Sequence, residues 1–122
     1  MTGGRRNFPK AERLRKRKDF SSLFKLGRKF NTPHLILFCR ANQRPQARLG
    51  ITASRKVGTA VARNRVKRLI REYYRQHKSF FTAGFDYSLV VKKSFACLPK
   101  KAAEEQLSLL LRRSRRFTSS RC

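Results

Sequence analysis

Acidic residues are the scarcest charged groups in this 122-residue chain: Asp and Glu number 6 against 32 Lys and Arg, a formal net charge of +26. Such an imbalance excludes the balanced surface of an ordinary soluble enzyme and calls for a polyanion, whether DNA, RNA or an anionic membrane face. Long apolar runs are missing too, and none approaches the roughly 18 residues that read as a spanning helix. No apolar stretch follows Met1, so no signal peptide is expected and the cytoplasm is the expected location. The three cysteines, Cys39, Cys97 and Cys122, are odd in number and far apart, which argues against a disulfide framework and against a zinc site. His34 and His77 stand apart from each other and from the cysteines, so no metal site and no cofactor are expected in the protein. The six acids are Glu12, Asp19, Glu72, Asp86, Glu104 and Glu105, and the one adjacent pair does not share a helical face. With no paired carboxylates and no marked nucleophile, no catalytic residue is expected in the protein.

What is present is a core and two basic ends. Apolar residues make up 39% of the chain, enough for one modest domain, expected over residues 13–116. Residues 1–12 and 117–122 are polar and basic and read as a flexible arm and tail, although solvated charge alone explains such runs equally well.

Periodicity supplies the elements. Phe20, Leu23 and Phe24 at i, i+3, i+4, followed by Gly27, predict a helix over about residues 17–26. Leu35 to Cys39 is a compact run of strand formers, bounded by Asn31-Thr32-Pro33 and Asn42-Gln43-Arg44-Pro45. Leu49, Ile51 and Ala53 then alternate with Arg48, Gly50 and Thr52, which predicts a second strand returning antiparallel beside the first as a hairpin. Ala62, Val66, Leu69, Ile70 and Tyr73 return to helical spacing over about residues 58–76. Phe85, Tyr87, Leu89 and Val91 predict another strand, and Ala103, Leu107, Leu110 and Leu111 a final helix after Pro99. The order α-β-β-α-β-α describes an α+β domain, a small sheet packed with helices.

Two constellations carry binding chemistry. On the helix after Ser54, Arg63, Lys67, Arg71 and Arg75 form an i, i+4 row with Asn64 and Arg68 alongside, opposite the apolar face. A solvated face is the bland alternative, yet six cations on one helix with only Glu72 to offset them favour a bound polyanion. Phe20, Phe24 and Phe38, set among Arg13, Lys16 and Lys18, have the makings of a groove for a single strand, where rings stack on bases and cations follow the backbone. Packing in the core explains the same three rings, and periodicity alone favours it.

The run Ser54-Arg55-Lys56-Val57-Gly58-Thr59-Ala60-Val61-Ala62-Arg63-Asn64-Arg65-Val66-Lys67-Arg68-Leu69-Ile70-Arg71-Glu72 resembles the signature of the bacterial ribonuclease P protein subunit, and Asp19-Phe20 with Phe24 and Gly27 resembles its N-terminal pattern. The likeness spans residues 13–115. It implies a holoenzyme in which a large RNA, with Mg²⁺, removes the 5′ leader of precursor tRNA while the protein assists. It also implies that Arg55, Lys56, Arg63, Asn64, Arg65, Lys67, Arg68 and Arg71 contact the catalytic RNA, and that Arg13, Lys16, Phe20, Phe24 and Phe38 line a cleft for the single-stranded leader. A left-handed β-α-β crossover, as in the second domain of the fifth small-subunit ribosomal protein, is implied as well. A small basic ribosomal protein is the second reading. A nucleoid DNA binder and a membrane-surface helix rank behind it, because an aromatic groove suits single strands and the apolar helix face is needed for the core.

Overall fold

The computed structural model describes residues 9–119, so residues 1–8 of the expected arm and 120–122 of the expected tail lie outside the described residues. Four helices and four strands are described, joined by 3₁₀ turns at Lys10–Glu12, Arg55–Val57 and Lys78–Phe80: α1 Arg17–Leu26, β1 Arg28–Asn31, β2 Leu35–Ala41, β3 Arg48–Thr52, α2 Ala60–Gln76, β4 Phe85–Val91, α3 Lys93–Ala96 and α4 Lys100–Ser119. The class is α+β, as expected, around a mixed sheet in the order β1-β2-β4-β3.

One pairing differs from expectation. β2 and β3 form no hairpin, because β4 lies between them, antiparallel to β2 and parallel to β3. Burial explains the insertion: Phe85 to Leu89 is covered on both faces, and such a strand belongs at the centre of a sheet. The β3-α2-β4 segment is therefore a parallel crossover unit. β1 was not foreseen, because Arg28-Lys29-Phe30-Asn31 has a single apolar residue and no alternation to read. It pairs antiparallel with β2 and ends the sheet with charged side chains, which discourage further pairing.

Strand alternation divides the sheet into two faces. Leu35, Leu37 and Cys39 of β2, Leu49 of β3 and Phe85, Tyr87, Leu89 and Val91 of β4 share one cluster with Val66, Ile70, Tyr73 and Tyr74 of α2 and Ala103, Leu107, Leu110 and Leu111 of α4. The opposite face carries Phe38, Ser88 and Gly50 in register and receives α1, whose Leu23 is buried. α1 ends where the Gly27 N–H bonds the Leu23 carbonyl at 2.9 Å, and a Cβ at Gly27 would come within 2.5 Å of that oxygen. Close approach, not a left-handed turn, selects glycine there.

α4 runs through position 117. Its buried stripe continues as Ser114 and Thr118, both 0% exposed, and Thr118 Oγ1 lies 2.8 Å from Thr82 Oγ1. Phe117 rests near Phe30 and Phe85. Small hydroxylic residues fill the core face of this last stretch, which is why its sequence reads as a polar tail. At the other end Glu12 accepts from Tyr74 Oη at 2.7 Å and pairs with Lys78 at 3.1 Å, tying the first turn to the end of α2. Among the described residues no helix is long and apolar enough to cross a membrane.

Candidate RNA interfaces

α2 is launched by a short, constrained lead-in. Val57 is buried and pins the 55–57 turn, and Gly58 follows at φ +153°, a conformation that side chains rarely adopt. Thr59 then caps the helix, its Oγ1 accepting from the Ala62 N–H at 3.2 Å. This start leaves Arg55 and Lys56 exposed just ahead of the first turn, where the helix dipole adds positive potential.

Along α2, Asn64, Arg65, Arg68 and Arg71 are exposed, whereas Arg63 and Lys67 are half-buried. The side chains that line one open hollow are Asn64, Arg68, Arg71 and Arg75. The row inferred from spacing, Arg63-Lys67-Arg71-Arg75, is thus only partly the row that converges. Helix geometry gives the reason: at about 100° per residue, an 11-residue span closes to within about 20°, while a 12-residue span drifts by about 120°. Glu72 offsets little of this charge, lying 3.8 Å from Arg75. Arg71 Nε bonds the Lys67 carbonyl at 3.3 Å, which orients its guanidinium, and the buried Arg63 Nε has no hydrogen-bond partner.

On the opposite face of the sheet three rings meet. Phe24 and Phe38 are edge to face with centroids 5.0 Å apart, and Phe20 is tilted 6.3 Å from Phe24. Phe24 stays 44% exposed, and Phe20 and Phe38 are half-buried, so these rings are accessible rather than sealed in the core. Phe20 lies directly over Gly50, where a Cβ would sit 2.5 Å from its Cζ. Ile36, Val90 and Thr52 lie in register on the same face, half-exposed, and extend its floor. Alternation could have named these three, but only once the pairing of β4 was known.

Arg13 and Lys16 are exposed and line a neighbouring hollow with Lys10, Arg15 and Arg44. They are held there because the chain runs beside β3, with Leu14 N–H bonding the Leu49 carbonyl at 3.0 Å and Arg13 bridging to Leu49. These cations thus gather just ahead of α1, in a hollow whose lining includes none of the three rings.

Arg48 is the residue that sequence reasoning missed. The strand pattern makes it a solvent-facing position, yet it is 9% exposed and grips Asp86 through two bonds of 2.8 and 2.7 Å. It also reaches Asp19 of α1 at 3.3 Å, and Asn42 adds a 2.8 Å bond to Asp86. The hydrogen bonds that Arg48 donates to Asp86 hold the guanidinium pKa above its ordinary value, against the pull of burial. This network clamps α1 to β3 and β4 and so positions Phe20 and Phe24. Among the described residues no group of three His, Cys, Asp or Glu side chains comes together to hold a metal ion.

Comparison with known proteins points to one family. The family model described as Ribonuclease P matches residues 8–115. The ribonuclease P protein component of Desulforapulum autotrophicum is 37% identical over 110 residues, covering 90% of this chain and 94% of that one. That of Desulfovibrio desulfuricans is 39% identical over 117 residues, covering 92% and 90%. Among solved structures, the ribonuclease P protein from Thermotoga maritima superposes with a TM-score of 0.74 at 35% identity, covering 83% of this chain and 96% of that one. The Staphylococcus aureus ribonuclease P protein gives a TM-score of 0.80 at 29% identity, covering 86% and 96%.

Proposed function

The chain belongs to the ribonuclease P protein family, and we propose that it binds two RNAs at once, a catalytic RNA through α2 and the single-stranded 5′ leader of precursor tRNA through the aromatic cleft. Its part in the reaction is to assist endonucleolytic 5′ maturation of tRNA in the cytoplasm, with cleavage and its Mg²⁺ belonging to the RNA. Family membership sets aside the ribosomal alternative.

The observation that carries this reading is the distribution of two unlike surfaces over the two faces of one sheet. Phosphates of a folded RNA stand at fixed positions, and a rigid helix with arginines converging on one hollow suits them. A flexible single strand offers base faces, and the open Phe20, Phe24 and Phe38 rings suit those, with Arg13 and Lys16 alongside for its backbone. Arg55, Lys56, Arg63, Asn64, Arg65, Lys67, Arg68 and Arg71 form the first set. Because α1 and α2 pack on opposite faces of the sheet, neither ligand blocks the other.

The mechanism follows from charge and from differential binding. A chain carrying +26 neutralises phosphates that would otherwise repel the substrate, so less Mg²⁺ is needed to bring the two RNAs together. Leader contacts are lost when the leader is cut off, so they favour precursor over mature product and aid release. The Mg²⁺ is assigned to the RNA: Asp19 and Asp86 are held by Arg48 and Glu12 by Lys78, and among the described residues the acids do not gather into a group that could hold the ion.

The test is leader removal from precursor tRNA by the catalytic RNA at low Mg²⁺, with and without the protein. Stimulation by the protein is expected. Its absence would overturn the proposed function.

A further inference from the structure

Between α2 and the turn α3 lies a second opening, whose apolar floor the two proposed RNA surfaces do not account for. Its floor is apolar: Val66 and Leu69 from α2, Phe95, Ala96 and Leu98 from the α3 region, and Ala103 from α4. The hollow measures about 570 Å³ and is open to solvent. Phe95 anchors the turn in the core, at 2% exposed, while Ala96 and Leu98 pack against that core only in part and Pro99 sends the chain on into α4. Its rim is cationic on both sides, with exposed Arg65 and Arg68 on α2 and exposed Lys100 at the start of α4. Glu72, the one acid at the rim, is within reach of Arg75.

We propose that this hollow receives an unpaired base of the catalytic RNA, extruded from its helix, whose flanking phosphates are held by Arg65 and Arg68 on one side and Lys100 on the other. The inference rests on the reading of α2 as the catalytic-RNA face and deepens it. An apolar floor between cationic walls matches a nucleotide, which is a flat π-surface with an anion on each side. An acidic protein segment would match the cations but brings no flat π-surface flanked by an anion on each side, and duplex RNA exposes no base face to fill the floor. The dipole at the start of α4 adds positive potential on the Lys100 side. Holding one base in a shaped hollow also adds recognition of the base itself, which a row of phosphate contacts does not supply.

The experiment has two arms, both on the full chain with the catalytic RNA. In the first, Ala96→Phe fills the hollow without removing a cation, and binding to the catalytic RNA is measured across a salt series. The expected result is a loss of about ten- to a hundredfold in affinity with the salt slope unchanged, against a slope reduced by about 0.7–0.9 in Arg68→Ala. In the second, Cys122→Ser leaves exposed Cys97, at the mouth of the hollow, and buried Cys39 as the thiols. A photo-crosslinker on Cys97 is expected to join one unpaired nucleotide of the catalytic RNA. Unchanged affinity in Ala96→Phe, or crosslinks to duplex nucleotides, to precursor tRNA or to a second protein chain, would overturn the inference. If Arg68→Ala still weakens binding in that case, the broader role of α2 stands; if it does not, that role falls as well.

Discussion

Replacing Gly50 by Ala separates the two proposed RNA surfaces with a single methyl group. Gly50 has no positive φ, so alanine strains nothing in the backbone of β3, and only space decides the outcome. The new Cβ would stand 2.5 Å from Phe20 Cζ, 2.6 Å from Phe20 Cε1 and 3.1 Å from Leu14 Cβ. Carbon atoms rest at about 3.5–4.0 Å, so the ring must retreat by about 1 Å. Leu14 cannot yield, because its N–H is bonded to the neighbouring Leu49 carbonyl at 3.0 Å, so Phe20 moves away from the sheet. Overpacking of this kind costs about 1–3 kcal/mol of stability. If Phe20 stacks on a leader base, the same displacement forfeits up to about 1–3 kcal/mol of binding, roughly 5- to 150-fold. The assay is equilibrium binding of the holoenzyme to precursor and to mature tRNA. The ratio of the two affinities should fall in Gly50→Ala, while affinity for the catalytic RNA stays level. On a Phe20→Ala background the glycine change should add nothing further. A folded Gly50→Ala protein with an undiminished precursor preference would refute the reasoning.

Three further outcomes are expected. Affinity for the catalytic RNA should fall by about 10³–10⁵ between 50 and 200 mM salt if roughly six to ten phosphates are contacted, and a flat salt series would contradict the charge argument. Arg48→Met leaves the buried Asp86 carboxylate with only Asn42, so urea unfolding should register a loss of about 3–5 kcal/mol, most of it recovered by adding Asp86→Leu. Stability should also decline in alkali: burial pushes the Cys39 thiol from 9.0 up to about 12, so from pH 9 the unfolded chain releases a proton that the folded one keeps. The resulting loss is about 1.4 kcal/mol per pH unit until the folded pKa is reached, and Cys39→Ala should flatten unfolding curves between pH 9 and 10.

Much of this fold was legible where periodicity is strong and local. α1, α2 and α4 follow from apolar spacing, and β2 and β4 from runs of strand formers, because each buries one face or two against neighbours that its own pattern implies. Pairing was not legible. β4 enters between β2 and β3 from far along the chain, and nothing in Leu35 to Thr52 distinguishes a hairpin from two strands awaiting a third. Arg48 reads as solvent-facing because alternation reports a face without reporting what covers it, and here α1 brings Asp19 over that face. The same gap left Phe20, Phe24 and Phe38 undecided between core and cleft. Phe24 is exposed and Phe20 and Phe38 are half-buried, an outcome that depends on where α1 comes to rest. On α2, the signature marked the helix that carries the cations, but the convergence of Asn64 with Arg68, Arg71 and Arg75 needed the helical angle.

The division of labour between the faces is tested most directly by measuring, in parallel, catalytic-RNA affinity and the precursor-to-mature binding ratio for Arg68→Ala/Arg71→Ala and for Phe24→Ala. The account predicts crossed results: the α2 variant loses RNA affinity and keeps its leader preference once assembled, while the Phe24 variant keeps RNA affinity and loses the preference. Both variants losing the same quantity, or each losing the other's, would contradict it.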